Sequence, residues 1–142
     1  TKGPVQSAGY ILNAGSEQFI QDCVHKLQQD HAASLLIFPE GTRTAKGEQL
    51  NEFQRGAANI ALRAGVPIRP VLISCTPSTL TKNEKWYHIP EQPFHIHVKV
   101  LDAIQVEDVL DDVTVNPKNV RQLNQQLQWF FNQELSLNDE SC

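Results

Sequence analysis

The chain reads as an α/β protein, with a mostly parallel sheet flanked by helices. Three observations carry that reading. Leu35-Leu36-Ile37-Phe38 is an uninterrupted apolar run, the pattern of a strand covered on both faces. Phe53, Ala57, Ile60, Ala61 and Ala64 recur at helical spacing. Ile68 to Ile73 follows as a second strand, so strand, helix and strand form a crossover that sets the two strands parallel.

The remaining elements follow in order. Tyr10-Ile11-Leu12 reads as a short strand before a turn at Asn13-Ala14-Gly15. Ser16 is placed to cap a helix, with Glu17 favourable in its first turn. Phe19, Ile20, Cys23, Val24 and Leu27 form one apolar stripe, which carries that helix to about Asp30. Gly65 stands where a C-terminal helix stop belongs. Thr76 to Pro93 reads as a long loop. Phe94 to Val100 alternates with period two, a strand with one apolar face. Asn116-Pro117 opens a last helix with Pro at its first position, and its stripe is Val120, Leu123, Leu127, Phe130 or Phe131, and Leu135.

The bulk properties bound the function. At 142 residues and 16.0 kDa the chain suits one domain with a real core. It has no Met, and no apolar run approaches the length of a membrane span. Three cysteines, Cys23, Cys75 and Cys142, with no CxxC spacing argue against a disulfide framework or zinc site and for a reducing compartment. Cys75 reads as a small core residue. Net charge is -4, and residues 101–142 hold eight of the 16 acids but two of the 12 bases. Nucleic acid is therefore not an expected partner, because binding it needs a broad basic face. A local anion site in the first hundred residues is compatible with this distribution.

The strand ending at Phe38 delivers Glu40, Gly41, Thr42 and Arg43 to the carboxyl edge of the sheet, where open α/β sheets bind ligands. Gly41 permits close backbone approach, Thr42 offers a hydroxyl, and Arg43 offers a planar fork for two phosphate oxygens. Glu40 is placed to hold such an Arg or balance its charge. Arg55, followed by Gly56, opens the next helix and adds a second cation from the same side. On spacing alone, a surface turn with an ordinary Glu/Arg pair is the simpler reading.

Phe38-Pro39-Glu40-Gly41-Thr42-Arg43 resembles the FPEGTR motif of the glycerolipid (lysophosphatidate) acyltransferase family at every position. Phe53-Gln54-Arg55-Gly56 resembles the family's downstream F-x-x-G element, and Val66-Pro67-Ile68-Arg69-Pro70-Val71 its V-P-I-x-P-V strand. The resemblance implies transfer of an acyl group from acyl-CoA or acyl carrier protein to a hydroxyl of a lysophospholipid such as lysophosphatidate. It assigns the acceptor's phosphate to Glu40–Arg43, and the reading of the residues adds Arg55 and Gly56 to the expected substrate-binding set. No cofactor or metal is implied. A peripheral position at the cytoplasmic face of a membrane is.

The family's base is the His of an N-H-x-x-x-x-D motif well upstream of FPEGTR. Residues 1–142 are accordingly expected to be the C-terminal part of the acyltransferase domain, with no catalytic residue of their own, and the isolated segment to leave a sheet edge unpaired. The alternative is a non-catalytic phosphate- or lipid-binding module. His25 and Asp30 do read H-x-x-x-x-D, but Val24 replaces the Asn, and residues five apart on a helix diverge by about 140°. His95 and His97 share a strand face without a carboxylate or Cys to complete a metal set. Trp86-Tyr87, among Lys82, Lys85 and His88, suits either a membrane interface or a loop anchored to its own core.

Overall fold

A computed structural model describes residues 17–30, 32–44, 50–78, 81, 82, 85 and 92–139. The expected strand at Tyr10, the turn at Gly15, Ser16, Trp86, Tyr87, His88 and Cys142 lie outside these residues.

The apolar stripe beginning at Phe19 forms helix α1 (Glu17–Gln29), with Cys23 as its buried residue. The second stripe forms α2 (Gly56–Ala64). Phe53 precedes this helix rather than belonging to it, and Arg55 occupies the N-cap position. Gly65 ends α2 as expected: at φ 63° its N–H donates to the Ala61 carbonyl at 3.0 Å. Strands β1 (Val71–Thr76) and β2 (His95–Val100) follow, then a single turn, α3 (Val106–Val109), which the periodicity did not reveal. The chain closes with α4 (Pro117–Asp139). Asn116 caps α4 by accepting the Asn119 N–H at 2.8 Å, and the ring of Pro117 occupies a position where no N–H is needed.

The sheet departs from expectation. Its two described strands are antiparallel, with Val71 opposite Val100 and Thr76 opposite His95. The mostly parallel sheet is not supported. Leu35–Phe38 enters no ladder among the described residues, and Leu36 and Phe38 stay 76% and 69% exposed. A strand needs partners for its N–H and C=O groups on at least one side, and β1 takes as its partner the strand that follows it in the chain. The expected strand at Ile68 begins only at Val71. Pro67 and Pro70 have no N–H to give a ladder, so this stretch makes one bridge, Ile68 to Ile104.

Alternation in β2 does separate an apolar face from a polar one, but the apolar face is open. Ile96, Val98 and Val100, opposite Cys75, Ile73 and Val71, are all exposed. The opposite face carries buried Leu72 and Lys99, whose Nζ pairs with Glu134 of α4 at 3.1 Å. Cys75 is half-buried rather than part of the core. The core lies instead among α2, α3 and α4: Phe53, Ala58, Ala61, Leu62, Val106, Leu110, Val120, Leu123 and Leu127 pack together. The stripe of α4 is therefore buried as its spacing requires, with Leu123 fully covered.

Candidate functional site: an anchored anion loop

The segment after Phe38 turns back at once. Pro39 and Glu40 occupy the bend, and the Gly41 N–H closes it on the Phe38 carbonyl at 3.2 Å. Gly41 has φ 68°, a conformation glycine adopts without the penalty a Cβ brings.

This turn is tied to the chain that leads into α2. The Pro39 carbonyl accepts the Gln54 N–H at 2.7 Å. The Glu40 carboxylate accepts the Asn51 N–H at 2.8 Å and the Thr44 hydroxyl at 3.1 Å through the same oxygen, Oε2. Asn51 also donates from its side chain to the Arg43 carbonyl at 3.4 Å. The Thr44 carbonyl accepts from Lys82 N–H at 3.0 Å, holding the far end of the loop. Glu40 is thus a half-buried anchor of the loop, closing it on Asn51, rather than simply a counter-charge presented to the ligand.

With the backbone pinned, Gly41, Thr42 and Arg43 are left at the surface. Arg55 is exposed at the start of α2, which directly follows the segment that the loop is bonded to. Arg55 has no oxygen with which to cap α2, and no acid stands in the first turn. The leading N–H groups of Gly56 and its neighbours therefore have no side-chain cap, a favourable setting for an anion. A Cβ at Gly56 would meet nothing within 4 Å, so Gly56 borders open space. The six residues singled out in the sequence are brought together as two linked pieces: the loop 40–43 and the entrance of α2.

The spacing missed what stands behind them. Gln128 of α4 accepts the Phe53 N–H at 2.7 Å and donates to the Asn51 carbonyl at 3.3 Å. Asn124, one turn earlier, donates to the Phe53 carbonyl at 3.0 Å. Phe53 itself is buried and meets Phe131 edge to face at 5.2 Å between ring centroids. Two amide side chains four apart on an otherwise ordinary amphipathic helix were the sequence trace of this bracket.

The other candidates remain apart. His25 is exposed on α1, and Asp30 follows the helix, where its carboxylate accepts the Ala32 N–H at 3.0 Å. His95 and His97 are exposed on β2, and no group of three metal-ligating side chains occurs among the described residues. No described helix is long and apolar enough to cross a membrane.

Comparison with known proteins bears on this arrangement. Residues 12–74 match the family model described as Acyltransferase. The chain is similar to 1-acyl-sn-glycerol-3-phosphate acyltransferase alpha of Mus musculus, 36% identical over 86 residues, 60% of this chain and 29% of that protein. It is also similar to the 1-acyl-sn-glycerol-3-phosphate acyltransferase of Escherichia coli (strain K12), 46% identical over 50 residues, 35% and 20% of the two chains. That of Cocos nucifera is 37% identical over 75 residues, 53% and 23% of the two. The chain spans less than a third of the length of the curated relatives it matches. No solved structure matches it. The matched residues 12–74 include all six candidate site residues, whereas β2, α3 and α4 lie beyond them.

Proposed function

We propose that this chain belongs to the acyltransferase family that its residues 12–74 match, and supplies the acceptor-binding part of an enzyme that moves a fatty acyl group onto a lysophosphatidate-type acceptor. The donor is a thioester, acyl-CoA or acyl carrier protein. The acceptor's hydroxyl oxygen attacks the thioester carbonyl, the carbon–sulfur bond breaks as the carbon–oxygen ester bond forms, and the hydroxyl proton passes through a base to the departing thiolate. The base is a His/Asp pair supplied from outside the described residues. The protein works at a membrane surface, where its lipid acceptor resides.

In this reading Arg43 takes the acceptor's phosphate as a two-pronged donor, and Thr42 adds a hydroxyl. Arg55 and the uncapped entrance of α2 add positive potential from the adjoining side. The observation that carries the proposal is the fixed loop itself. Its backbone is closed on Asn51 and Gln54 by Glu40 and Pro39, leaving Thr42 and Arg43 outward. A preorganised loop that presents an arginine in this way binds an anion at low cost in ordering.

The test is Arg43→Ala in the full-length protein, with thiol release from acyl-CoA followed as lysophosphatidate is varied. Loss of a charged hydrogen-bonding fork should raise the acceptor KM by about 10- to 100-fold. The acyl-CoA KM should stay near its starting value. Equal losses toward donor and acceptor would overturn the phosphate role.

A further inference from the structure

We infer that Gln128 and Asn124 of α4 are positioning residues for the anion loop, acting through the backbone of residues 51–53. The inference rests on the acceptor-binding reading of that loop and extends it to a helix outside the family-matched residues 12–74.

The connection can be followed bond by bond. The Gln128 carboxamide receives the Phe53 N–H and gives to the Asn51 carbonyl, so it takes the place of a neighbouring strand for that stretch. Asn124 takes the Phe53 carbonyl. Three main-chain groups of an otherwise irregular segment are thereby satisfied by one helix. The same segment gives its Asn51 N–H to Glu40 and the next residue's N–H, that of Gln54, to the Pro39 carbonyl. The turn that presents Arg43 is therefore fixed to Asn51, which α4 holds, and to Gln54, the residue that follows Phe53.

Hydrophobic packing sets the register of this bracket. Leu123 and Leu127 are buried on the same helix, and Phe53 is buried against Phe131. Packing holds the Phe53 ring, while its main-chain groups are held by hydrogen bonds. The paired amide fixes its main chain, so the loop bonded to that main chain meets an acceptor already in place, and loosening it weakens acceptor binding.

The experiment compares three variants of the full-length protein: Gln128→Leu, Arg43→Ala and Leu135→Ala, the last a change on the same helix away from the bracket. Acceptor and donor KM, kcat and melting temperature are measured for each. Gln128→Leu should raise the acceptor KM by about five- to tenfold, the effect of one or two lost hydrogen bonds. Its donor KM and kcat should change by less than about twofold. Leu135→Ala should lower the melting temperature without separating acceptor from donor. If Gln128→Leu behaves like Leu135→Ala, the inference is overturned while the role of Arg43 stands. If Arg43→Ala leaves the acceptor KM unchanged, the acceptor-binding reading fails and takes the inference with it. Should Gln128→Leu not fold, Gln128→Glu, which still accepts from Phe53, should give a smaller shift in the same direction. Its absence would equally overturn the inference.

Discussion

The Phe53 N–H donates to Gln128 Oε1 at 2.7 Å across 75 residues of sequence. It joins the entrance of the central helix to the last helix of the chain. The loop at Glu40–Arg43 is bonded to the same entrance, so core packing and loop geometry are parts of one connected arrangement.

Phe53 stands where the two meet, and truncating it should disturb both. Phe53→Ala removes a buried ring and its edge-to-face contact with Phe131. It should cost about 3–5 kcal/mol, read as a lower midpoint in urea unfolding. Phe53→Leu should recover most of that loss. A Phe53→Ala chain as stable as the parent would remove Phe53 from the core.

Glu40 should matter for stability as well as for binding. Glu40→Ala deprives the Asn51 N–H and the Thr44 hydroxyl of their shared acceptor. Leaving such a partly buried donor unmet costs about 1–3 kcal/mol. Glu40→Gln retains an accepting oxygen and should lose less. Chemical denaturation of the two variants orders them directly, and a Glu40→Ala midpoint equal to the parent's would show that the anchor carries no weight.

Gly41 tests the turn separately from its hydrogen bonds. A Cβ there would lie 3.5 Å from Gln54 Cγ, an ordinary contact, so the cost of Gly41→Ala comes from the backbone. At φ 68° that cost is roughly 1–2 kcal/mol. The acceptor KM should rise as the turn relaxes. Neither effect should appear if this bend is free to adopt another conformation.

Asp112 predicts an acid-sensitive entrance to α4. Its carboxyl is held below the usual carboxylate range, first by the Thr114 hydroxyl and then by the Thr114 N–H. A depressed folded pKa means that ionised Asp112 favours the folded state. That contribution is complete above the unfolded value of about 4 and is lost as pH falls through the lower folded value. Asp112→Asn should therefore flatten the fall in melting temperature between about pH 5 and pH 2. Curves that remain parallel over this range would show that Asp112 contributes no linkage.

Much of this protein was legible because its information is local. The helical period of Phe19 to Leu27 and of Val120 to Leu135 fixes which faces are buried, and Gly65 and Asn116-Pro117 mark ends through chemistry confined to a few residues. The residues Glu40, Gly41, Thr42, Arg43, Arg55 and Gly56 stood out as candidates for the same reason, as contiguous motifs. Which strand β1 would join was not readable. Alternation in Phe94–Val100 shows that two faces differ, but not which is covered, and the open apolar face of Ile96, Val98 and Val100 is decided by what packs elsewhere. The occupation of Glu40 by Asn51 and of Phe53 by Gln128 was likewise hidden. Sequence by itself determined the three longer helices, the stop at Gly65 and the residue types that the loop presents. Only the tertiary structure decided strand direction and what holds the loop in place, because hydrogen bonds between distant residues depend on where folding brings each donor and acceptor, and no local period records that.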